Sequence, residues 1–242
     1  MRDIHYKIIH DTELINWWYK VRRKIIHDLI KKYGYIENKN IKILDAGCGV
    51  GTLLKELEKY GNVSGLDFSE IAVNFCKEKN IKNVSIGNIT KLPFPDNTFD
   101  IVLALDVVEH VEDDLSAMRE IYRVMKGDGV AIITVPAFKF LWGITDEMSN
   151  HHRRYTISEL KTKIKSSGLS IVRSSYFNTF LFIPIALVRC FVRLFNIRIM
   201  SENETGNGAV NTILYKIFYA ESIFLKYINF PFGVSAFVIC KK

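Results

Sequence analysis

Three glycines at alternating positions, Gly47, Gly49 and Gly51, follow Asp45 in the run Asp45-Ala46-Gly47-Cys48-Gly49-Val50-Gly51. A turn of this composition brings backbone within reach of a small molecule, because no Cβ stands in the way. The chemistry it suits is binding of a nucleoside, and a second residue supports that reading. Asp67 lies about 20 residues after Gly47, the distance that places an acid on ribose hydroxyls. Two plainer readings stay open: any strand-to-helix turn can be glycine-rich, and Asp67 also suits an acid at a helix N-terminus.

The elements that would position these residues follow from hydrophobic periodicity. Residues 41–45 form a strand-like run, and Leu53, Leu54, Leu57 and Tyr60 share one helical face after the turn. A short strand over 63–67 leads into a helix over 69–79 with Ser69 as its N-cap. Residues 84–86 are a further short strand. The continuous apolar run 99–105 is of the kind buried on both faces of a parallel sheet. A helix over 113–125, a turn at 126–129 and a strand over 130–135 complete the alternation, which predicts a doubly wound α/β sheet. Ahead of it, Trp17, Val21, Ile25, Ile26, Leu29 and Ile30 recur at helical spacing within an amphipathic helix over 13–33. Beyond Pro136 a capping box at Thr156 and Glu159 starts a helix to about Ser166. A strand over 169–175, an apolar segment over 177–197, a polar mobile loop over 201–211, a helix over 209–229 and a strand over 234–240 follow.

The spacing of the glycines excludes the dinucleotide fingerprint G-x-G-x-x-G, since Thr52 stands at its third glycine. The turn instead resembles the first motif of the class I S-adenosylmethionine-dependent methyltransferases, in their small-molecule, UbiE-like branch. Further segments resemble that family in order. Gly87-Asn88-Ile89-Thr90-Lys91-Leu92-Pro93-Phe94 is similar to its G-D-x-x-x-L-P-F stretch, with Asn88 in place of the acid that recognises the adenine amine. Leu105-Asp106-Val107-Val108-Glu109-His110-Val111 is similar to its L-E-H-V segment, and residues 123–129 to its R-x-L-K-P-G-G turn, with Gly127 in place of proline. The resemblance covers residues 43–136. It implies a Rossmann-like seven-stranded sheet, mostly parallel with an antiparallel last strand, carrying an N-terminal helix and a C-terminal helical insertion. It also implies S-adenosylmethionine as cofactor and S-adenosylhomocysteine as product. Gly47, Cys48 and Gly49 then face the methionine part, Asp67 with Ser69 beside it the ribose, and Phe68, Asn88 and Ile89 the adenine, with Asp45, Leu105 and Asp106 along the same strand ends. Residues 17–23 resemble the family's W-W-F-x-x-R-R element, from which Arg22 would pair with the cofactor carboxylate, against the plainer reading of a surface arginine, and Trp18 or Tyr19 would close the site.

At 242 residues and 48% hydrophobic composition, the chain fits a single domain: a helical cap over 1–38, a cofactor-binding core over 39–136 and an acceptor side over 137–242. Residues 1–10 have no long apolar core, which argues against a signal peptide and for the cytoplasm. Cys48, Cys76, Cys190 and Cys240 are scattered, so no metal site or disulfide framework is expected. The net charge of +7 is spread along the chain rather than gathered in a tail.

Methyl transfer to oxygen needs a base, and histidine suits that role. His110 is one candidate, although it also suits a residue packed beneath the cofactor. His151 and His152 are the others. They begin His151-His152-Arg153-Arg154-Tyr155, which resembles an H-x-R-R-Y stretch of the same branch, with Trp142 and Asp146 upstream. Arg153, Arg154, Tyr155 and Trp142 would line an acceptor site, against the plainer reading of a solvated basic loop with Tyr155 docked on the core. The segment 177–197 is too short for a bilayer span, which needs about 20 apolar residues. It reads first as a lid over an apolar or lipid-linked acceptor, or as a helix packed against the one over 209–229, and second as a peripheral membrane contact, Arg189 and Arg193 snorkelling. The functional expectation is methyl transfer to a small-molecule or lipid-like acceptor, oxygen slightly preferred. An RNA or protein methyltransferase is the alternative, disfavoured by the lack of an Asn/Asp-Pro-Pro-Tyr element at 106–109, so no nucleic-acid partner is expected. A silent cofactor-binding subunit is the other. Oligomeric state is not legible.

Overall fold

The computed structural model of the protein describes residues 3–34, 36, 40–195 and 208–242. In chain order the helices are α1 (Asp3–Thr12), α2 (Trp17–Tyr33), α3 (Thr52–Leu57), α4 (Glu70–Glu78), α5 (Asp114–Val124), α6 (Ile144–Met148), α7 (Ile157–Ser166), α8 (Phe182–Leu194) and α9 (Ala209–Phe224). The strands are β1 (Ile41–Ala46), β2 (Gly61–Asp67), β3 (Val84–Ile86), β4 (Phe99–Leu105), β5 (Met125–Pro136), β6 (Ser170–Phe177) and β7 (Ser235–Lys241).

The strands form one sheet in the order β3-β2-β1-β4-β5-β7-β6. The first five pair in parallel, and β7 runs antiparallel between β5 and β6. The doubly wound, mostly parallel sheet expected from the alternation is therefore present. β4 sits at its centre with six of its seven residues buried. Side chains alternate across the pleat, so Ile43, Ile101 and Leu103 pack on one face with Val21, Ile25 and Ile26 of α2 and Phe218 of α9. Leu44, Val102 and Ala104 pack on the other with Ala117, Met118 and Ile121 of α5 and Leu160 and Ile164 of α7.

Several boundaries differ from the expectations. The helix expected from residue 13 begins at Trp17, because the Asn16 side chain accepts the Trp18 N–H and caps it there. A separate helix, α1, precedes it; only its His5 and Tyr6 are buried, too few for a periodic signal. The turn expected at 126–129 is drawn into the start of β5. The last helix ends at Phe224 rather than 229, and residues 209–211 open it instead of belonging to a loop. The rest of that expected loop, through residue 207, lies outside the described residues, as do Met1 and Arg2 of the leading segment.

The insertion between β6 and β7 is fastened by one carboxylate. Glu221 on α9 is fully buried and accepts the N–H groups of Thr179 (2.7 Å) and Phe180 (2.8 Å), which turn the chain from β6 into α8. No helix among the described residues is long and apolar enough to cross a membrane.

Candidate active site

The carboxyl ends of β1, β2 and β4 open into a cavity of about 2110 Å³, roofed by α1, α2 and α8. Single small-molecule pockets run from roughly 300 to 1,000 Å³, so there is room for two ligands side by side.

At the β1 end the three glycines take left-handed conformations, with φ of +89° at Gly47, +54° at Gly49 and +81° at Gly51. A Cβ on Gly47 would lie 2.6 Å from Val107 Cγ2, and one on Gly51 2.6 Å from Cys76 Sγ. At Gly49 a Cβ would meet nothing within 4 Å. The outer glycines are thus demanded by the protein's own packing, whereas the middle one leaves a cradle of bare backbone facing the cavity. The turn is tied to β2, since the Leu66 carbonyl accepts both the Gly47 N–H (2.7 Å) and the Cys48 N–H (3.0 Å).

Asp67 is buried at the end of β2. Its carboxylate accepts the Gly49 N–H (2.8 Å), the Ser69 N–H (2.9 Å) and the Tyr6 hydroxyl from α1 (3.1 Å). Burial raises its pKa, and these three hydrogen bonds work against that rise. Ser69, expected beside the ribose, does not line the cavity; its hydroxyl is spent on capping α4 at the Ala72 N–H. Phe68 stands at the cavity wall 78% exposed, an aromatic face with no protein partner over most of its area, opposite the buried Ile89. The Asn88 side-chain oxygen accepts the Thr90 N–H (2.9 Å), which leaves one of its two lone pairs for an amine.

Between these groups and β4, Arg22 reaches from α2 to Asp106 (2.5 Å) and lies over the Trp18 ring at 5.1 Å. Asp106 has φ +54°, unusual for a residue with a side chain. Asp45 is buried with one carboxylate oxygen, Oδ1, lacking a hydrogen-bond partner. Burial pushes its pKa up to about 7, with the Arg22 charge opposing the rise and Asp67 adding to it.

The far wall gathers the histidines. His151 on the loop after α6 bonds through Nδ1 to Asp146 Oδ1 (2.7 Å), and its ring meets that of His110 edge-on at 4.6 Å. Burial alone would raise the Asp146 pKa, but the His151 hydrogen bond and the Arg154 charge bring it down to about 2. Burial, and then the neighbouring His151, hold His110 down to about 3, so it stays neutral. His152 lines the cavity from an exposed position, held by its backbone N–H on the Glu109 carbonyl (2.8 Å).

Of the residues expected to bind the acceptor, Trp142 and Arg154 line the cavity, and Arg153 and Tyr155 do not. The basic cradle is not formed. Arg154 is buried and committed to Asp146 (2.8 Å) and the Ala137 carbonyl (2.9 Å). Arg153 turns to Asp114 (2.9 Å) and the Glu112 carbonyl. Tyr155 is buried in the core with its hydroxyl on Asp114 (2.8 Å), as the plainer reading had it. Both lie off the cavity because Asp114, at the start of α5, draws their polar ends to the other side of the loop. Sequence reasoning missed Tyr6 and passed over Glu109 and the pairing of Asp146 with His151; only the spacing of Asp146 and His151, five apart across a short helix, offered a signal.

Residues 44–133 match the methyltransferase domain family. Cycloartenol-C-24-methyltransferase 1 of Oryza sativa is 34% identical over 146 residues, covering 56% of this chain and 40% of the relative. A demethylmenaquinone methyltransferase of Staphylococcus aureus is 36% identical over 120 residues, covering 44% of this chain and 50% of the relative. The chain therefore spans half or less of the length of these two relatives. The solved structure of an S-adenosylmethionine-dependent methyltransferase from Archaeoglobus fulgidus superposes with a TM-score of 0.57 at 20% identity, over 91% of this chain and 94% of that one, which shows the shared fold. These findings bear out the class I methyltransferase resemblance and the cofactor it implies.

Two outcomes follow from the glycine turn and from Asp45. Gly51→Ala should lower thermal stability by about 1–3 kcal/mol through strain and the clash with Cys76. Gly49→Ala, with free space for its Cβ, should lose less stability but at least about tenfold in S-adenosylhomocysteine affinity, measured by calorimetry beside melting curves. For Asp45, whose carboxyl titrates near 7, a cationic sulfonium and ammonium favour the ionised form. S-adenosylmethionine should accordingly bind more weakly as pH falls below about 7, by up to ~10-fold per unit, and level off above it. Asp45→Asn should flatten that profile.

Proposed function

We propose that this protein transfers a methyl group from S-adenosylmethionine to a small, largely apolar acceptor, with a hydroxyl oxygen as the atom methylated. One observation carries the reading: a single cavity runs from the bare backbone at Gly49 and the Asp67 carboxylate to the paired His151 and Asp146, beneath an apolar roof.

The residues present fit the cofactor. Gly49 leaves the backbone open, Asp67 offers a preorganised carboxylate to ribose hydroxyls, Phe68 presents an uncovered ring to the adenine, and Arg22 offers a guanidinium to the cofactor carboxylate. When bound, S-adenosylmethionine supplies a methyl already activated on a sulfonium, so transfer asks chiefly for an acceptor held in line and for exclusion of water. Asp146 fixes the His151 ring with Nδ1 as its donor, leaving the Nε2 lone pair to take the hydroxyl proton; the oxygen–carbon bond would form as the carbon–sulfur bond breaks and its electron pair returns to sulfur, leaving the thioether. His110 braces that ring from the side.

The acceptor class is read from α8. Leu181, Ile185, Val188 and Val192, at helical spacing, face the cavity, while Ile183, Leu187, Phe191 and Leu194 are exposed on the outer side. An apolar lining favours an apolar or lipid-linked molecule. Relatives named for a sterol precursor and a demethylmenaquinone support a small-molecule acceptor. The apolar outer face, on a chain of net charge +7, supports work at an anionic lipid surface on the cytoplasmic side.

Binding and turnover test this together. Asp67→Ala should weaken S-adenosylhomocysteine by tenfold or more in calorimetry; an unchanged affinity would remove the ribose assignment. In a screen of long-chain phenols and alcohols with labelled cofactor, His151→Ala should lower kcat by ~10²–10⁴ with cofactor affinity retained. Sedimentation with phosphatidylglycerol vesicles should carry the protein down at low salt and release it at high salt, whereas a protein left in the supernatant at both would rule out the lipid surface.

A further inference from the structure

Glu109 is a fully buried acid that lines the cavity beside His110 and His151. The residue is 0% exposed, and neither carboxylate oxygen has a hydrogen-bond partner. A buried polar group left in that state costs about 1–3 kcal/mol, and more when it carries charge. Beside it, His110 Nδ1 is also buried without a hydrogen-bond partner. His151 donates from Nδ1 to Asp146, which turns its Nε2 toward Glu109 Oε1 at 3.9 Å. That separation is too long for a hydrogen bond. It is within what one ion with bonds of about 2.0–2.2 Å on each side would span.

We propose that Glu109, His110 and His151 form a binding site for a divalent transition-metal ion, Zn²⁺ by preference. One ligand atom from each residue lies within 4.8 Å of the other two, so small side-chain rotations bring all three to bonding distance. Two imidazoles and one carboxylate are a zinc-type donor set with an open fourth position, whereas Mg²⁺ and Ca²⁺ select oxygen. The surroundings are those of a built metal site. Asp146 holds the His151 ring by the nitrogen that would not ligate, fixing its tautomer and orientation, the His110 ring packs edge-on against it, and Arg154 and the Gly143 N–H hold Asp146. All three ligand residues line the cavity, so the fourth position faces the acceptor space. An ion there would take the lone pair that His151 otherwise offers to a hydroxyl and polarise that hydroxyl in its place. Only this last role rests on the methyl-transfer reading; the ion's binding does not.

The full chain, stripped with a chelator, would be titrated with Co²⁺ by visible absorption and with Zn²⁺ by calorimetry, followed by elemental analysis after dialysis. The expected result is one ion per chain, with ligand-field bands of a low-coordinate site. Glu109→Gln and His151→Ala should each weaken binding at least tenfold, and Asp146→Asn should weaken it by about 10–100-fold. S-adenosylhomocysteine affinity, measured on the same samples, should stay within about twofold and so report that the variants are folded. Absence of saturable one-to-one binding in the unaltered chain overturns the proposal, as does stoichiometric binding that survives both ligand substitutions. A chain that binds cofactor but no metal leaves the methyl-transfer reading standing. One that binds metal but methylates no acceptor leaves the site standing alone.

Discussion

A single buried carboxylate holds the cofactor side together. Asp67 receives hydrogen bonds from the middle glycine of the β1 turn, from the start of α4 and from α1, so three segments far apart in sequence converge on two oxygen atoms. Charge-assisted bonds of this kind are about twice as strong as neutral ones. Their geometry also limits where the turn can sit, because Gly49 can donate to Asp67 only while its backbone is left-handed. The glycine turn and the acid are therefore one device. The same carboxylate orders the turn and bonds the backbone where α4 begins, the second contact being the plainer of the two readings weighed for Asp67.

The acceptor wall is organised by charge balance. Arg22 faces Asp106, and Arg154 faces Asp146, so two of the acids along this wall are matched by guanidiniums from other elements. Asp106 takes its left-handed backbone where β4 ends, yet its N–H still bonds the Thr134 carbonyl of β5 (2.9 Å). Strain of roughly 1–3 kcal/mol at such a residue survives only where the neighbours overdetermine it. Here the strand pairing on one side and the ion pair on the other do so. Glu109 and Asp45, which lack guanidiniums of their own at bonding distance, are the groups that burial pushes toward the protonated form.

The core of the fold was legible because parallel strands buried on both faces write uninterrupted apolar runs, as 99–105 does, and because caps such as Ser69 and Thr156 mark helix starts through their own hydrogen bonds. The glycine turn and Asp67 were legible for the same reason, their spacing being set by local geometry. What escaped were features decided by tertiary contact. α1 is short and half exposed, so nothing periodic announces that Tyr6 will reach Asp67. The basic run at 151–155 read as a cradle because charge in sequence carries no direction. In space Asp114 and Asp146 divide it, turning Arg153 and Tyr155 away and fixing His151 toward the cavity. A buried acid such as Glu109 likewise looks in sequence like any exposed one.

The roof over the acceptor space differs in kind from its floor. No residue of α8 is buried, although nearly all are apolar, whereas the strands beneath are almost wholly enclosed. Besides ring contacts through Phe182, α8 is secured by Arg189, which donates to the Leu141 carbonyl. Local opening free energies follow the amount of enclosed apolar contact. With no residue fully enclosed, α8 should open at lower cost than β4 beneath the cavity. Under the proposed methyl transfer, entry of the acceptor and retention of the cofactor would fall to parts of the fold with separate local stabilities.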